Sequence, residues 1–265
     1  MDSNTTLSLA TFNIRTPCDP APNDWEARIP RIRAVIQRHA FDIVGLQEAT
    51  WQQLERLLAD ADDRWDVIGE GRDDGHHGGE LSGILYRKDR LRLQATRTFW
   101  LSETPDVPGS RSWNTACTRI CTWGRFTDLK TGKPFVHFNT HLDHRSQPAQ
   151  LNGVRVILDA IRALPADLPV VLTGDFNVYP DSQVVAETAA VLRNAASCAR
   201  DGYHCPPYTY HAYGTWQLPA PDRRCEIDYI FVSDAITVRR VDAFTDTCNG
   251  LYPSDHFPLR ALLEL

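Results

Sequence analysis

Asp, Glu, Asn and His recur in this 265-residue chain where an apolar run stops or starts. LSLATFN ends on Asn13, FDIVGLQE on Glu48, and VVLTGDFN on Asp175 and Asn177. FVHFNTHLD closes on His141 and Asp143, EIDYIFVS opens near Asp228, and SDHF sets Asp255 and His256 before the last apolar run. A carboxylate half-buried at a strand end is costly unless it is paired or bound to a metal. Several at comparable positions point to one cleft at one edge of the sheets. Carboxylate and amide oxygens suit a hard cation, Mg²⁺ or Mn²⁺, rather than zinc, which prefers His and Cys. The added histidines fit hydrogen bonding to a phosphoryl oxygen. The chemistry this set fits is hydrolysis of a phosphate ester by an activated water.

The elements that must carry these residues are legible in the pattern. Strands rich in Val, Ile, Phe and Thr, bounded by Gly, Pro, Asp and Asn, are expected at 7–14, 41–47, 65–69, 82–87, 91–100, 117–128, 134–140, 169–173, 227–233, 236–244 and 257–263. A helix is expected at 24–40, opening on the N-cap Asp24 and setting Ile29, Ile32, Val35 and Ile36 on one face, with Pro30 near its start. Further helices are expected at 50–61, 147–164 and 182–192. Strands mixed with helices without strict alternation give the α+β class, two sheets with helices outside. No linker divides the chain, so one domain over 1–265 is expected. The stretch 102–115 reads as a long loop.

Bulk properties narrow the partners. Hydrophobic residues make up 42%, enough for a sizeable core, and the net charge is −6 at a pI of about 5.8. That argues against a broad electrostatic grip on duplex DNA. No apolar run suits a membrane span, and MDSNTTLSLATFN has neither a cationic n-region nor an h-region. A cytoplasmic monomer is expected, or a secreted one if a leader has been removed. The seven scattered cysteines form no CxxC pair and read as reduced thiols. Cys117 and Cys121 fall an even step apart on an expected strand, as buried thiols would.

TFN, LQE, NTHLD, GDFN, IDYIF and SDHF, in this order and across nearly the whole chain, resemble the endonuclease/exonuclease/phosphatase superfamily with its deoxyribonuclease I-like fold. The resemblance implies a four-layer α/β/β/α sandwich with the site at the top of two facing sheets. It implies that Glu48 is the main metal carboxylate, with Asn13 beside it and Asp255 as a further metal-side carboxylate. Asp175 would orient or deprotonate the attacking water, Asn177 hold the phosphate, and His141 contact it. His256 would face the scissile phosphate with Asp228 as its orienting partner. One position departs from the pattern: Glu226 stands where a basic residue is common, with Arg223 and Arg224 just upstream. The expected substrate is a phosphodiester, of single-stranded nucleic acid or a small molecule. The alternatives are a sugar or inositol phosphate monoester, or a binding module of this fold that has lost catalysis.

Each residue also has a plainer reading. Asn13, Asp175 and Asn177 could be turn residues, Glu48 a helix-start charge, His141 a core histidine and Asp143 a surface residue. Asp228 could pair with Arg224, and Asp255 and His256 could cap the final strand. Arg119 could reach a phosphate from the cleft wall, and Trp113 and His211, with Trp123, Tyr208 and Trp216, could stack on a base or sugar. GRDDGHHGGE, residues 71–80, reads as a solvated flexible loop placed to line the cleft rim.

Overall fold

The computed structural model describes residues 5–59 and 63–265. In chain order the strands are β1 (Leu7–Asn13), β2 (Ile43–Gln47), β3 (Ala49–Thr50), β4 (Trp65–Ile68), β5 (Glu80–Leu81), β6 (Ile84–Arg87), β7 (Leu91–Trp100), β8 (Ile120–Asp128), β9 (Pro134–His141), β10 (Val170–Asp175), β11 (Arg193–Asn194), β12 (Tyr203–His204), β13 (Asp228–Val232), β14 (Thr237–Ala243) and β15 (Leu259–Glu264). The helices are α1 (Trp25–Arg38), α2 (Trp51–Ala59), α3 (Gln147–Arg162), α4 (Gln183–Ala189) and the short α5 (Ala195–Cys198). One sheet runs β12-β14-β15-β1-β2-β6-β4, the other β11-β13-β10-β9-β8-β7, and β3 pairs with β5 alone.

Three apolar clusters define four layers. One lies between the sheets and includes Leu7, Leu9, Ile43, Phe135, Val171 and Ile230. A second packs the β8–β13 face on α3 and α4, through Val136, Phe138, Val154, Ile157, Leu172 and Val184. The third packs β1 and β2 on α1 and α2, through Phe12, Ile32, Val35, Val44, Leu46 and Leu54. The architecture is the expected α/β/β/α sandwich.

The period-2 alternation of a strand explains where the polar residues go. On β1, Leu7 and Leu9 face the other sheet, and Thr11 and Asn13 follow on the same parity. On β2 the inward series is Ile43, Gly45, Gln47; on β9 it is Phe135, His137, Asn139, His141; on β10 it is Val171, Thr173, Asp175. Every series starts apolar and ends polar. The middle residues form a seam across the sandwich. Gln47 donates to Thr11 Oγ1 (3.0 Å) and to Asn139 Oδ1 (2.7 Å), Asn139 donates to the Leu46 carbonyl (2.8 Å), and Thr173 bonds Asn139 Oδ1 (3.0 Å). Gly45 keeps the two sheets close here: a Cβ on it would overlap Asn139 Oδ1 and Thr173 Oγ1.

Several boundaries moved. The strand expected from Cys117 begins at Ile120, so Cys117 lies half-buried in the preceding loop while Cys121 is buried in β8. The end expected for α2 at Ala61 lies outside the described residues; the helix is described to Ala59. The fourth helix is shorter than expected, ending at Ala189. Asp24 caps α1 by accepting the Ala27 N–H, and Pro30 is accommodated inside the helix. No helix among the described residues is long and apolar enough to cross a membrane.

Candidate active site

The inward polar ends of β1, β2, β9, β10 and β13 converge with the segment before β15. Asn13 is fully buried and joins two carboxylates: its Nδ2 donates to Glu48 Oε1 (3.1 Å) and Asp175 Oδ2 (3.0 Å). Its Oδ1 accepts the Arg15 N–H at 3.0 Å. Glu48 follows β2 in left-handed backbone, φ 57°, which turns its carboxylate back into the cleft. Glu48 Oε2 accepts the Thr16 N–H (3.1 Å) and lies 3.5 Å from Arg15 Nη1. Burial favours its neutral form, but the Thr16 N–H, His256 and Asn13 outweigh it and hold the carboxyl below its ordinary range.

Asp255 faces Glu48 across the Arg15 guanidinium, whose Nε is 3.7 Å from Asp255 Oδ2 and 3.2 Å from Asp19 Oδ2. Burial, reinforced by the charge on Glu48, raises the Asp255 carboxyl. Two arginines on the inner face of α1 fix this segment. Arg28 donates to the Ile14 and Arg15 carbonyls, and Arg31 to the Tyr252 carbonyl. Ser254 Oγ donates to the Asn13 carbonyl (2.7 Å), tying the SDH turn to the end of β1.

Opposite lies a histidine between carboxylates. His256 Nδ1 meets Asp228 Oδ2 at 2.9 Å, and its Nε2 is 3.8 Å from Asp175 Oδ2. Burial works against charge on this ring, but Asp228, then Asp175 and Asp255, overcome it and push the imidazolium up to about 10. Burial and the nearby Asp228 raise the Asp175 carboxyl, against the pull of His256 and Asn13. Asp175, Asp228 and His256 bring their potential ligand atoms within 4.8 Å of one another, a grouping able to hold a metal ion. A cationic imidazole in its middle already supplies positive charge there.

His141 Nε2 sits 2.9 Å from Asn177 Nδ2, and Asn177 N–H is bound by Asp175 Oδ1 at 3.0 Å. Burial, aided by Arg119 and His256, drives the His141 pKa well below its ordinary value, so the ring is neutral. Asp175 Oδ2 lies 3.5 Å from the same Nε2, Asn177 Nδ2 also donates to the Leu142 carbonyl (3.1 Å), and His141 Nδ1 has no hydrogen-bond partner among the described residues.

The structure thus brings together Asn13, Glu48, His141, Asp175, Asn177, Asp228, Asp255 and His256. Arg119 is buried in the wall beside Glu48 and His141. Trp113 lines a surface basin with Arg111, Ser112, Asn114 and Thr115, and its carbonyl accepts from Ser146 Oγ at 2.7 Å. His211 presents no face to a substrate: it is 2% exposed, its ring stacked on Phe257 at 4.0 Å and packed against Tyr252. Asp143 is buried rather than superficial. It accepts from Thr115 Oγ1 and from the Ala116, Arg145 and Ser146 N–H groups, anchoring the 102–115 loop. Arg224 pairs with Glu226, not with Asp228.

Sequence reasoning passed over Arg15, Arg72 and Glu80. The loop at 71–80 is tightly bonded rather than loose. Gly71 N–H donates to His76 O, Arg72 N–H to Glu80 O, and Asp73 N–H to Gly78 O, while Asp74 Oδ1 accepts two N–H groups. The acidic and glycine residues read as solvated loop are the internal acceptors and close contacts that fold it.

Residues 10–256 match the family model described as the endonuclease/exonuclease/phosphatase family. The chain belongs to this family. A solved family member from Bacteroides vulgatus is 37% identical, covering 98% of this chain and 99% of its own, with a TM-score of 0.91. The mannosyl-6-phosphatase of Bacteroides thetaiotaomicron is 34% identical, covering 98% and 100%, with a TM-score of 0.88. Nocturnin of Drosophila melanogaster is 23% identical over 94% of this chain, which spans 43% of that protein's length. Family members of this kind are phosphoesterases.

Proposed function

We propose that this chain hydrolyses a phosphate ester with a divalent cation, by in-line attack of a water on phosphorus. The observation that carries this reading is the apposition of Asp175 and His256. A carboxylate able to take a proton lies 3.8 Å from an imidazolium held charged by a 2.9 Å bond to Asp228. Asp175 accepts the water proton as the new P–O bond forms and the ester P–O bond breaks, and the departing alkoxide oxygen takes a proton from solvent and leaves as the alcohol. His256 stabilises the charge gathering on the phosphoryl oxygens. His141 and Asn177, paired at 2.9 Å beside Asp175, line the side of the site where that group would sit.

Glu48 and Asp255 would hold the cation. Two carboxylates share one guanidinium, and all their donor atoms are oxygen, which fits a hard ion such as Mg²⁺ or Mn²⁺. Asn13 serves by aligning Glu48 and Asp175, since its own oxygen is committed to the Arg15 N–H. When bound, the ion would neutralise charge on the phosphoryl oxygens.

A small phosphate monoester of the sugar-phosphate kind is the substrate class best supported. The likeness to a mannosyl-6-phosphatase runs the length of both chains. The net charge of −6 offers polynucleotides no broad attraction, and Trp216 is packed against Tyr208. The test is a panel of nitrophenyl phosphate, bis-nitrophenyl phosphate, hexose 6-phosphates, short RNA and short DNA, with Mg²⁺ or Mn²⁺ and after chelation. Metal-dependent phosphate release from the monoesters is expected. Cleavage confined to diesters would restore the phosphodiesterase reading, and no cleavage at all would leave a binding module.

A further inference from the structure

We propose that Arg72 and Arg119 form an anion pocket beside the reaction centre that takes one charged phosphoryl oxygen, and so selects phosphate monoesters over diesters. This rests on the phosphomonoesterase reading above. The pocket opens between Glu48 and His141 and is walled by Arg72, Arg119, Glu80 and Ser82. Arg119, just ahead of β8, is 7% exposed; its Nη2 lies 3.2 Å from His144 Nδ1 and its Nε has no hydrogen-bond partner among the described residues. Arg72 Nη1 bonds Glu80 Oε2 at 2.6 Å, and its buried Nε likewise has no hydrogen-bond partner there. Arg90, Arg193 and Arg260 also have buried Nε atoms without a hydrogen-bond partner among the described residues, but Arg72 and Arg119 bring theirs to the lining of one pocket, where a ligand or water could meet them.

Unpartnered donors and size both point to an oxyanion. The two guanidinium groups share the pocket lining with two carboxylates, Glu80 and Glu48, and Asp73 Oδ1 lies 3.9 Å from Arg72 Nε, so the attraction for an oxyanion comes from the unpartnered Nε–H groups rather than from a net positive charge. Burial and the neighbouring Arg72 disfavour the charge on Arg119, and an anion between the two arginines would relieve both. The free volume is about 10 Å³, close to that of a single water or a single phosphoryl oxygen. A monoester has three non-bridging oxygens. One would meet the cation held by Glu48 and Asp255, one would meet His256, and the third would enter the arginine pocket. In a diester that oxygen carries a carbon arm, too large for the pocket and without charge for the arginines.

The pocket is also pre-formed. Trp100 Nε1 holds the Arg72 carbonyl at 2.7 Å, and a Cβ at Gly71 would overlap the backbone of Gly78, so the loop keeps Arg72 in place.

The experiment compares Arg72→Gln, Arg119→Gln, Arg119→Lys and Ser82→Val in the full chain with Mg²⁺. It reads kcat/KM for nitrophenyl phosphate and bis-nitrophenyl phosphate, and inorganic phosphate affinity by calorimetry. Each Gln variant is expected to lose about 10- to 100-fold on the monoester and in phosphate affinity, the loss of one charged hydrogen bond, with the diester rate little changed. Ser82→Val fills the space while sparing both arginines and should show the same selectivity, which covers the case of an arginine variant that does not fold. Equal losses on both esters with unchanged phosphate affinity would overturn the pocket. A wild type that cleaves neither ester would overturn the phosphomonoesterase reading instead, and phosphate titration would still test the arginines.

Discussion

Asp228→Asn separates the charge on Asp228 from its shape. The Asn amide oxygen can still accept the His256 Nδ1–H now bound at 2.9 Å, so the ring keeps its orientation and only the negative charge is lost. In the wild type His256 stays cationic up to about pH 10. Burial is the largest influence on the ring and favours the neutral form, and Asp228 is the largest influence against it, so without Asp228 the pKa falls, with Asp175 and Asp255 still raising it. Each unit by which it drops below the assay pH costs about tenfold in the imidazolium fraction. Weaker stabilisation of the phosphoryl charge extends the expected loss to about 10²–10³-fold. The assay is kcat/KM for a phosphate monoester from about pH 5 to about pH 10, with the imidazole titration followed by nitrogen NMR. The basic limb should move down from near 10, and the deficit should shrink towards acid pH. The acidic limb should move down as well, because after burial the charge on Asp228 contributes most to raising Asp175. Stability follows the sign of the His256 shift. Its raised pKa stabilises the wild type fully below about 6.5, and that contribution fades as pH rises through about 10, so the two proteins should melt most differently in acid. A wild-type rate at pH 8, or an unmoved basic limb, would refute the role given to the Asp228–His256 pair.

Three further outcomes are expected. Glu48→Gln should lower kcat by about 10²-fold or more with the melt little changed, and should abolish the rise in Tm that Mg²⁺ gives the wild type; a preserved rise would place the cation elsewhere. Asn13→Ala should cost about 1–3 kcal/mol in a denaturant melt, since Glu48 and Asp175 lose their shared donor, and should lower kcat as well. Gly45→Ala should destabilise by about 1–3 kcal/mol, because its methyl meets Asn139 and Thr173 in the seam between the sheets; an unchanged midpoint would mean that the sheets are not in close contact there.

Much of this was legible because strand parity is written in the chain. LSLATFN and VVLTGDFN each carry an apolar stripe that turns polar at the last inward positions, and the cleft lies where those stripes end. Other parts depended on contacts remote in sequence. His211 has the composition of a stacking residue, but Phe257 and Tyr252 enclose it, and both come from the far end of the chain. Asp143 looked superficial until the 102–115 loop folded onto it and supplied donors to its carboxylate. Arg72 was hidden in a run whose charge and glycine content mimic a solvated loop, although the acids are spent on the loop's own N–H groups. Arg15 sits in TFNIR one residue beyond Ile14, and only the approach of Asp255 to Glu48 gives its guanidinium two carboxylates.

Arg15, Glu48 and Asn177 all hold left-handed backbone, with φ of 59°, 57° and 53°. For Arg15 and Glu48 that conformation costs about 1–2 kcal/mol, which glycine would not incur, whereas asparagine adopts it more readily. Natural selection for thermal robustness and selection for turnover therefore pull in opposite directions at these turns. We predict that Glu48→Gly melts higher than Glu48→Gln while both lose most of the wild-type kcat; equal melting temperatures would refute it. A duplicated copy freed from its reaction would be free to take glycine at Arg15 and Glu48, so the residue type at these two turns offers a simple marker for telling working descendants from silent ones.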